Sequence, residues 1–233
     1  VRTSWSTELD EDSIIPIRMR ALREMALSWA FSEEQAILDG DVAGTHQDSD
    51  VTGSTDVRKA WDGLRRLAIS QSYTSNVGGT ATANDLMAIK KACGIFGSKA
   101  SEGFWVTSPK IAIGFLTLLD DQNNSVIIGN AVSMLRPGIE TKGEVPALYG
   151  SPVVVSEAMR ENLNASGVYD GTTTDKGGIL YVNRRGPIYA MTNRAPRFYA
   201  DMEIRRLQFE VVMSCRREFE DQLAIASNQW LTY

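Results

Sequence analysis

With one histidine and two cysteines in 233 residues, the chain lacks the ligands for a Cys/His zinc site and the pairs for a disulfide framework. An acyl-transfer triad would have to use His46, which stands in a polar stretch, Thr45-His46-Gln47-Asp48-Ser49-Asp50, without a nucleophile elbow. The glycine pairs Gly78-Gly79 and Gly177-Gly178 have neither the GxGxxG spacing nor the lysine of a phosphate loop, so no nucleotide site is signalled. Long hydrophobic runs are also missing. The longest, 111–119, is less than half the roughly 20 residues of a bilayer span, which excludes a membrane helix. No signal peptide opens the chain, and Val1-Arg2-Thr3-Ser4-Trp5 reads like the middle of a protein, an expectation of N-terminal truncation or processing.

What remains is the composition of a soluble protein with a core: 43% hydrophobic residues, 24 Lys and Arg against 29 Asp and Glu, and a net charge of -5. The charge is unevenly placed. The first twelve residues carry Glu8, Asp10, Glu11 and Asp12 against Arg2 alone. Residues 183–217 carry Arg184, Arg185, Arg194, Arg197, Arg205, Arg206, Arg216 and Arg217 against Asp201, Glu203 and Glu210, with no lysine. The guanidinium fork pairs bidentately with carboxylate or phosphate, so an all-Arg region suits ordered contact; a solvated strand face with local carboxylate partners is the alternative. A net negative chain without basic-aromatic interleaving is a poor sequence-reading DNA binder.

Asp12 or Ser13 is expected to cap a long helix, 13–40, with Pro16 in its first turn and Ile17, Leu22, Met25, Trp29 and Ile37 along it, ending at Gly40. Its apolar residues, including Met19, Ala26, Ala30 and Phe31, form more than one stripe, which predicts several neighbouring surfaces, other chains among them. Asp56 is expected to cap a second helix through Val57, Ala60, Trp61, Leu64 and Ala68, and Asn84 to open a third through Leu86, Ile89, Cys93 and Phe96 to Gly97. The Gly/Thr/Asn-rich stretch 75–84 marks a boundary. Residues 104–107 read as a strand, and Ser108-Pro109 as the start of a helix carrying Ile111, Phe115, Leu118 and Leu119. Residues 126–128 read as a short strand between turns, 152–155 as a buried strand, 164–178 as an exposed loop, and 179–182 as a strand. From 205 to 217, Leu207, Phe209, Val211, Met213 and Cys215 alternate with polar neighbours, the signature of a half-buried antiparallel strand. Both cysteines fall on apolar faces as reduced core residues. The carboxylate pairs Glu33-Glu34, Asp120-Asp121 and Glu220-Asp221 read as structural, and the glycosylation-type triplets at Asn123 and Asn164 have no secretory context.

Four stretches in order resemble the major capsid protein of tailed bacteriophages, the Hong Kong 97-type fold shared with encapsulin compartments. They are the long helix ending Glu33-Glu34-Gln35-Ala36-Ile37-Leu38-Asp39-Gly40-Asp41, similar to the family's spine helix with its Gly-Asp ending, and the helix, strand Phe104-Trp105-Val106-Thr107, Ser108-Pro109 helix succession. The others are Leu148-Tyr149-Gly150-Ser151-Pro152-Val153-Val154-Val155-Ser156, like the family's Leu-x-Gly-x-Pro-Val strand entry, and the Arg-rich strands of 188–217. The resemblance implies an α+β fold: a peripheral domain with long antiparallel strands (1–74 and 187–222, with the spine helix at 13–40) and a mixed axial domain (75–186 and 223–233). The family's N-terminal arm, extended loop and cross-linking lysine have no counterpart, and weak assembly of this stretch alone is the expectation.

The function implied is a non-enzymatic shell subunit forming pentamers and hexamers of an icosahedral phage or prophage head around double-stranded DNA, in the virion and assembled in the bacterial cytoplasm. An encapsulin-like compartment or an unrelated oligomeric enzyme are the alternatives. No cofactor is implied; partners would be other copies of the chain, with scaffold, maturation protease, portal and non-specifically held DNA. Opposed charge predicts that Glu8, Asp10, Glu11 or Asp12 of one copy meets Arg184, Arg185, Arg197, Arg205 or Arg206 of another.

Overall fold

The computed structural model describes residues 1–70, 72, 74–77, 81–115, 147–185, 188–221 and 228–232. Strand β1 (Arg2–Ser6) leads into a short helix α1 (Thr7–Asp12), whose N-terminus is capped by Ser6 Oγ accepting from the Leu9 N–H at 3.2 Å. The long helix α2 covers Ile17–Asp39, 23 residues and about 35 Å. It does not begin at 13 as the capping pattern suggests. Proline pushes the residue before it out of the helical region, so Ile15 cannot continue a helix through Pro16, and Ser13 Oγ instead accepts from the Ile15 N–H in a local turn.

The expected second helix is broken. Asp56 does cap a turn, accepting from the Arg58 N–H, but only the 3-10 segment Val57–Lys59 follows, and α3 (Leu64–Ser70) starts afresh. The break lies where Gly63 donates to the Gly40 carbonyl at 2.9 Å, and a Cβ on either glycine would run into backbone of the other segment. The third helix, α4 (Ala83–Ala92), is capped by Thr82 rather than Asn84, in a reciprocal capping box with Asp85. It ends at Cys93, and Gly94 at φ +54° turns the chain into α5 (Ile95–Ser98). Helix α6 (Pro109–Gly114) starts as expected, with Ser108 as cap and Pro109 at its first position. Leu118, Leu119 and the expected strand at 126–128 with its turns lie outside the described residues.

The remaining strands are β2 (Thr74–Asn76), β3 (Gly103–Thr107), β4 (Ala147–Leu148), β5 (Ser151–Val155), β6 (Gly178–Asn183), β7 (Ile188–Glu203), β8 (Gln208–Asp221) and β9 (Asn228–Thr232). They build two sheets. One has the order β1-β8-β7, all antiparallel; the other runs β2-β9-β6-β3-β5-β4 and is mixed, with β3 parallel to β5 and β2 parallel to β9.

Each sheet has its own core. In the three-stranded sheet, Phe209, Val211 and Met213 of β8 and Trp5 of β1 face α2 at Ile17, Leu22, Met25 and Trp29, as the alternation along 205–217 requires. In the six-stranded sheet, Trp105 stacks with Tyr181 at 4.7 Å and joins Ile179, Leu86, Ile89, Cys93 and Phe115. A third cluster ties the end of α2 (Leu38) and α3 (Leu64, Ala68) to Val106, Leu180, Val182 and Phe219. Strand β5 is less buried than its sequence suggests, since Val154 and Val155 face outward. The 164–178 loop is mostly exposed, but Gly167 and Gly177 are buried and Leu163 bridges Lys176. Among the described residues no helix is long and apolar enough to cross a membrane.

Candidate functional site: a buried charged junction and two charged surfaces

Among the described residues the chemistry-bearing side chains do not converge on a cleft. They gather at a junction where α2 ends. Asp39, the last residue of α2, lies 2.9 Å from Arg65 of α3, and Arg65 also binds both carboxylate oxygens of Asp48 and donates to the Gly167 carbonyl at 2.9 Å. Arg160 closes the group at 3.4 Å from Asp39 and from Asp48, reaches Asp50 at 2.7 Å, and rests over the Tyr169 ring. Two carboxylates and two guanidinium groups therefore balance inside the protein. This balance is what makes such burial tolerable, because an unpaired ion in the same place costs several kcal/mol.

The junction has a less buried rim. Arg58 pairs with Asp56 at 2.9 Å and Asp50 at 3.3 Å, and Arg66 with Asp41 at 3.5 Å. Asp41 also accepts the N–H groups of Ala43 and Gln47, so the Gly-Asp ending shapes the loop after α2. Burial pushes the Asp39 carboxyl above its ordinary range against the pull of Arg65 and Arg160. Hydrogen bonds from Arg58 hold Asp56 at about 2, and although burial opposes it, Arg160 and Arg58 lower Asp50. Burial also works against the charge on Arg65, but Asp39 and Asp48 outweigh it and raise its affinity for the proton. His46 is buried here with Nδ1 accepting from the Asp48 N–H at 3.0 Å, so it serves the loop rather than a nucleophile.

None of this junction was anticipated as a unit. Its ion pairs join residues far apart in the chain, 17 between Asp48 and Arg65 and 110 between Asp50 and Arg160, and locally each residue reads as a surface charge. Arg65 inside the apolar spacing of Leu64 and Ala68 was the one available signal.

The expected contact residues fall in three places. Glu8, Asp10, Glu11 and Asp12 all lie exposed on α1 around an exposed Leu9, and none has an ion pair among the described residues. Arg184 and Arg185 sit just past β6, at the end of the six-stranded sheet. There Arg184 covers the Phe104 ring and Arg185 pairs with Glu102 at 3.2 Å. Arg197, Arg205 and Arg206 belong to the other sheet: Arg197 is exposed on β7, while Arg205 and Arg206 lie in the turn before β8, Arg206 being 3.7 Å from Glu203. The structure therefore splits the Arg-rich stretch between two sheets. Arg217 turns inward, 2.6 Å from Glu33 and stacked on Trp29 of α2, beside a groove of about 320 Å³ also lined by Trp61 and Cys215. Cys215 is half-buried rather than a core residue, whereas Cys93 is buried and its thiol is pushed up to about 12.

Exposed apolar residues are numerous along the same sheet. Met19, Leu27 and Phe31 on α2 and Met191, Phe198, Tyr199 and Met202 on β7 face solvent. Among the described residues no group of three or more His, Cys, Asp or Glu is placed to hold a metal ion.

No protein-family model matches the chain, and no curated protein does. Solved structures do. The capsid of an empty GTA particle computed with C5 symmetry superposes with a TM-score of 0.62 at 16% identity, covering 100% of this chain and 71% of that one. A structure of Microbacterium phage Oxtober96 gives 0.66 at 10% identity over 99% and 70% of the two chains. The asymmetric unit of the bacteriophage PhiM1 mature capsid gives 0.54 at 14% identity over 99% and 69%. The chain has the α+β, Hong Kong 97-type capsid fold that its four sequence stretches resemble.

Proposed function

We propose that this chain is a structural, non-enzymatic shell subunit that assembles with copies of itself into the pentamers and hexamers of an icosahedral phage or prophage head enclosing DNA. The observation that carries the proposal is the superposition of this chain on capsid structures over 99–100% of its length. Two features support it independently. Apolar residues stay exposed along both α2 and β7, more than a lone soluble chain gains from, and four carboxylates on α1 have no ion-pair partner among the described residues. A head-to-tail contact repeated around an axis closes into a ring, and opposed charge patches set the register of such a contact.

Two domains are part of this reading: a peripheral one from 1–74 and 187–222, and an axial one from 75–186 and 223–233. The strands of the three-stranded sheet come from 2–6 and 188–221, and those of the other sheet from 74–183 and 228–232, which supports that division. Virion localisation, assembly in the host cytoplasm, and scaffold, protease and portal partners follow from the same reading. With a net charge of -5, contact with packaged DNA would be non-specific and weak.

The test is mass by light scattering with negative-stain electron microscopy. Rings or closed shells support the proposal, and particles holding nuclease-protected DNA rather than a protein cargo separate a phage head from an encapsulin-like compartment. Absence of rings at every salt and protein concentration overturns it.

A further inference from the structure

On the face of β8 turned away from α2, Val212, Ser214 and Arg216 alternate with the inward Val211 and Met213. Across from them on β7, Arg197 stands opposite Ser214 and Arg194 opposite Arg216. Three residues of β7 thus span two of β8, a bulge, and its effect is to turn Arg194 and Arg197 to the same side, where strict alternation would have opposed them. Two arginines are left directly opposite each other with a third beside them. Like charges in that position repel.

Among the described residues nothing neutralises the three. Arg194 donates to the Tyr199 hydroxyl at 2.7 Å, Glu218 is engaged by Asn193, and among the described residues Arg194, Arg197 and Arg216 have no carboxylate partner. Among the described residues, four acids without an ion pair stand together on α1, which is fastened to the other end of the same sheet: the Thr7 N–H donates to the Leu207 carbonyl at 2.9 Å, and Ser6 pairs with Gln208. From Gln208 to Arg216 is eight steps along β8, roughly 27 Å. The two charged surfaces therefore cannot meet within one copy.

We infer that the Arg194–Arg197–Arg216 face is the docking surface for α1 of a second copy, whose Glu8, Asp10, Glu11 and Asp12 neutralise the three guanidinium groups. The inference rests on the shell reading and makes its contact specific. It moves the partner of α1 away from Arg184 and Arg185, which already have Phe104 and Glu102. Complementary patches at opposite ends of one sheet give a head-to-tail contact, the kind that closes into rings. A nucleic-acid backbone is the other polyanion that three arginines would hold, but the chain's net charge and its own unpaired acids favour the protein partner.

The test uses R194E/R216E and D10K/E11K, all four sites being exposed, with circular dichroism melts to confirm folding. Self-association is followed by light scattering against concentration at low and high salt, with binding of a short DNA duplex measured alongside. The expected result is that each double variant associates about tenfold more weakly or worse at low salt. An equimolar mixture of the two should associate again, because each then offers the other opposite charge at both contacts. If D10K/E11K fails and R194E/R216E associates normally, the Arg face is not the partner, while the acidic helix and the shell reading stand. If both variants form rings or shells like the unaltered chain, the charge pairing is wrong and the shell reading survives. If R194E/R216E loses only DNA binding, the face reads phosphate and the inference is overturned. An unaltered chain that stays monomeric throughout overturns both.

Discussion

Arg65 and Asp48 form an ion pair in which both side chains are sealed from solvent, 1% and 0% exposed, and through Asp39 the pair holds the end of α2 against α3. Arg65→Leu leaves the carboxylates of Asp39 and Asp48 facing each other with only Arg160 between them. The expected loss is about 3–5 kcal/mol, read as a lower midpoint in urea denaturation. A midpoint within experimental error of the unaltered chain would mean that water reaches the cluster.

Acid should loosen the rim of this junction. Asp56 in the folded chain titrates near 2 against an ordinary 3.8, so its contribution to stability is complete above about 4 and is lost as pH falls through about 2. Asp50, also lowered, acts with the same sign, whereas Asp39, raised by burial, is relieved by its proton and acts against them. Thermal melts of the unaltered chain and D56N from neutral pH downward should therefore converge between about 4 and 2. A constant difference across that window would show that Arg58 does not favour the Asp56 carboxylate.

Gly40 and Gly63 are in backbone contact, and a methyl group on Gly40 would meet the Trp61 and Ala36 carbonyl oxygens. Gly40→Ala is expected to cost about 3 kcal/mol by forcing α2 and α3 apart. Gly44→Ala, where a Cβ meets nothing within 4 Å, is the control and should leave the midpoint nearly unchanged.

Arg217 joins β8 to α2 through both Glu33 and the Trp29 ring. Because the guanidinium is about a third exposed, its removal in Arg217→Ala should cost only about 1–2 kcal/mol. Arg217→Lys keeps the charge but loses the planar stacking, and its melting temperature should fall between the two.

The two thiols should differ in reactivity. Cys93 is buried with its thiol held near 12, and Cys215 is half-buried beside the Trp29 groove. Alkylation of the folded chain followed by mass spectrometry should label Cys215 well before Cys93. Equal labelling would mean that α4 and α5 open readily.

Local patterns were legible where the cause of the structure is local. Ser108-Pro109 starts a helix because a hydroxyl cap and a missing N–H suit that position in any context, and 205–217 alternates because one face of β8 meets α2. The Arg-rich stretch was legible as a contact-forming composition, but neither composition nor periodicity in 183–217 marks where the chain leaves one sheet at Asn183 and enters the other at Ile188; only the family resemblance, with its implied boundary between 186 and 187, points to that division. The β7 bulge was equally hidden, since it exists only as a mismatch between two strands. Pro16 misled because a first-turn position and a barrier to the preceding residue are both true of proline, and here the second won. The Asp39, Asp48, Arg65 and Arg160 cluster is the largest omission: charge pairing across the chain leaves no periodic trace.

Strand β9, residues 228–232, lies between β2 and β6 in the six-stranded sheet and is the last of the described strands to be synthesised. Its partner β2, residues 74–76, leaves the ribosome long before it and must wait with an unpaired edge. Pairing across so much chain is slow to form. A nascent chain therefore carries the whole of α2 well before it can complete the six-stranded sheet, so that the order of translation itself sets when the fold can close.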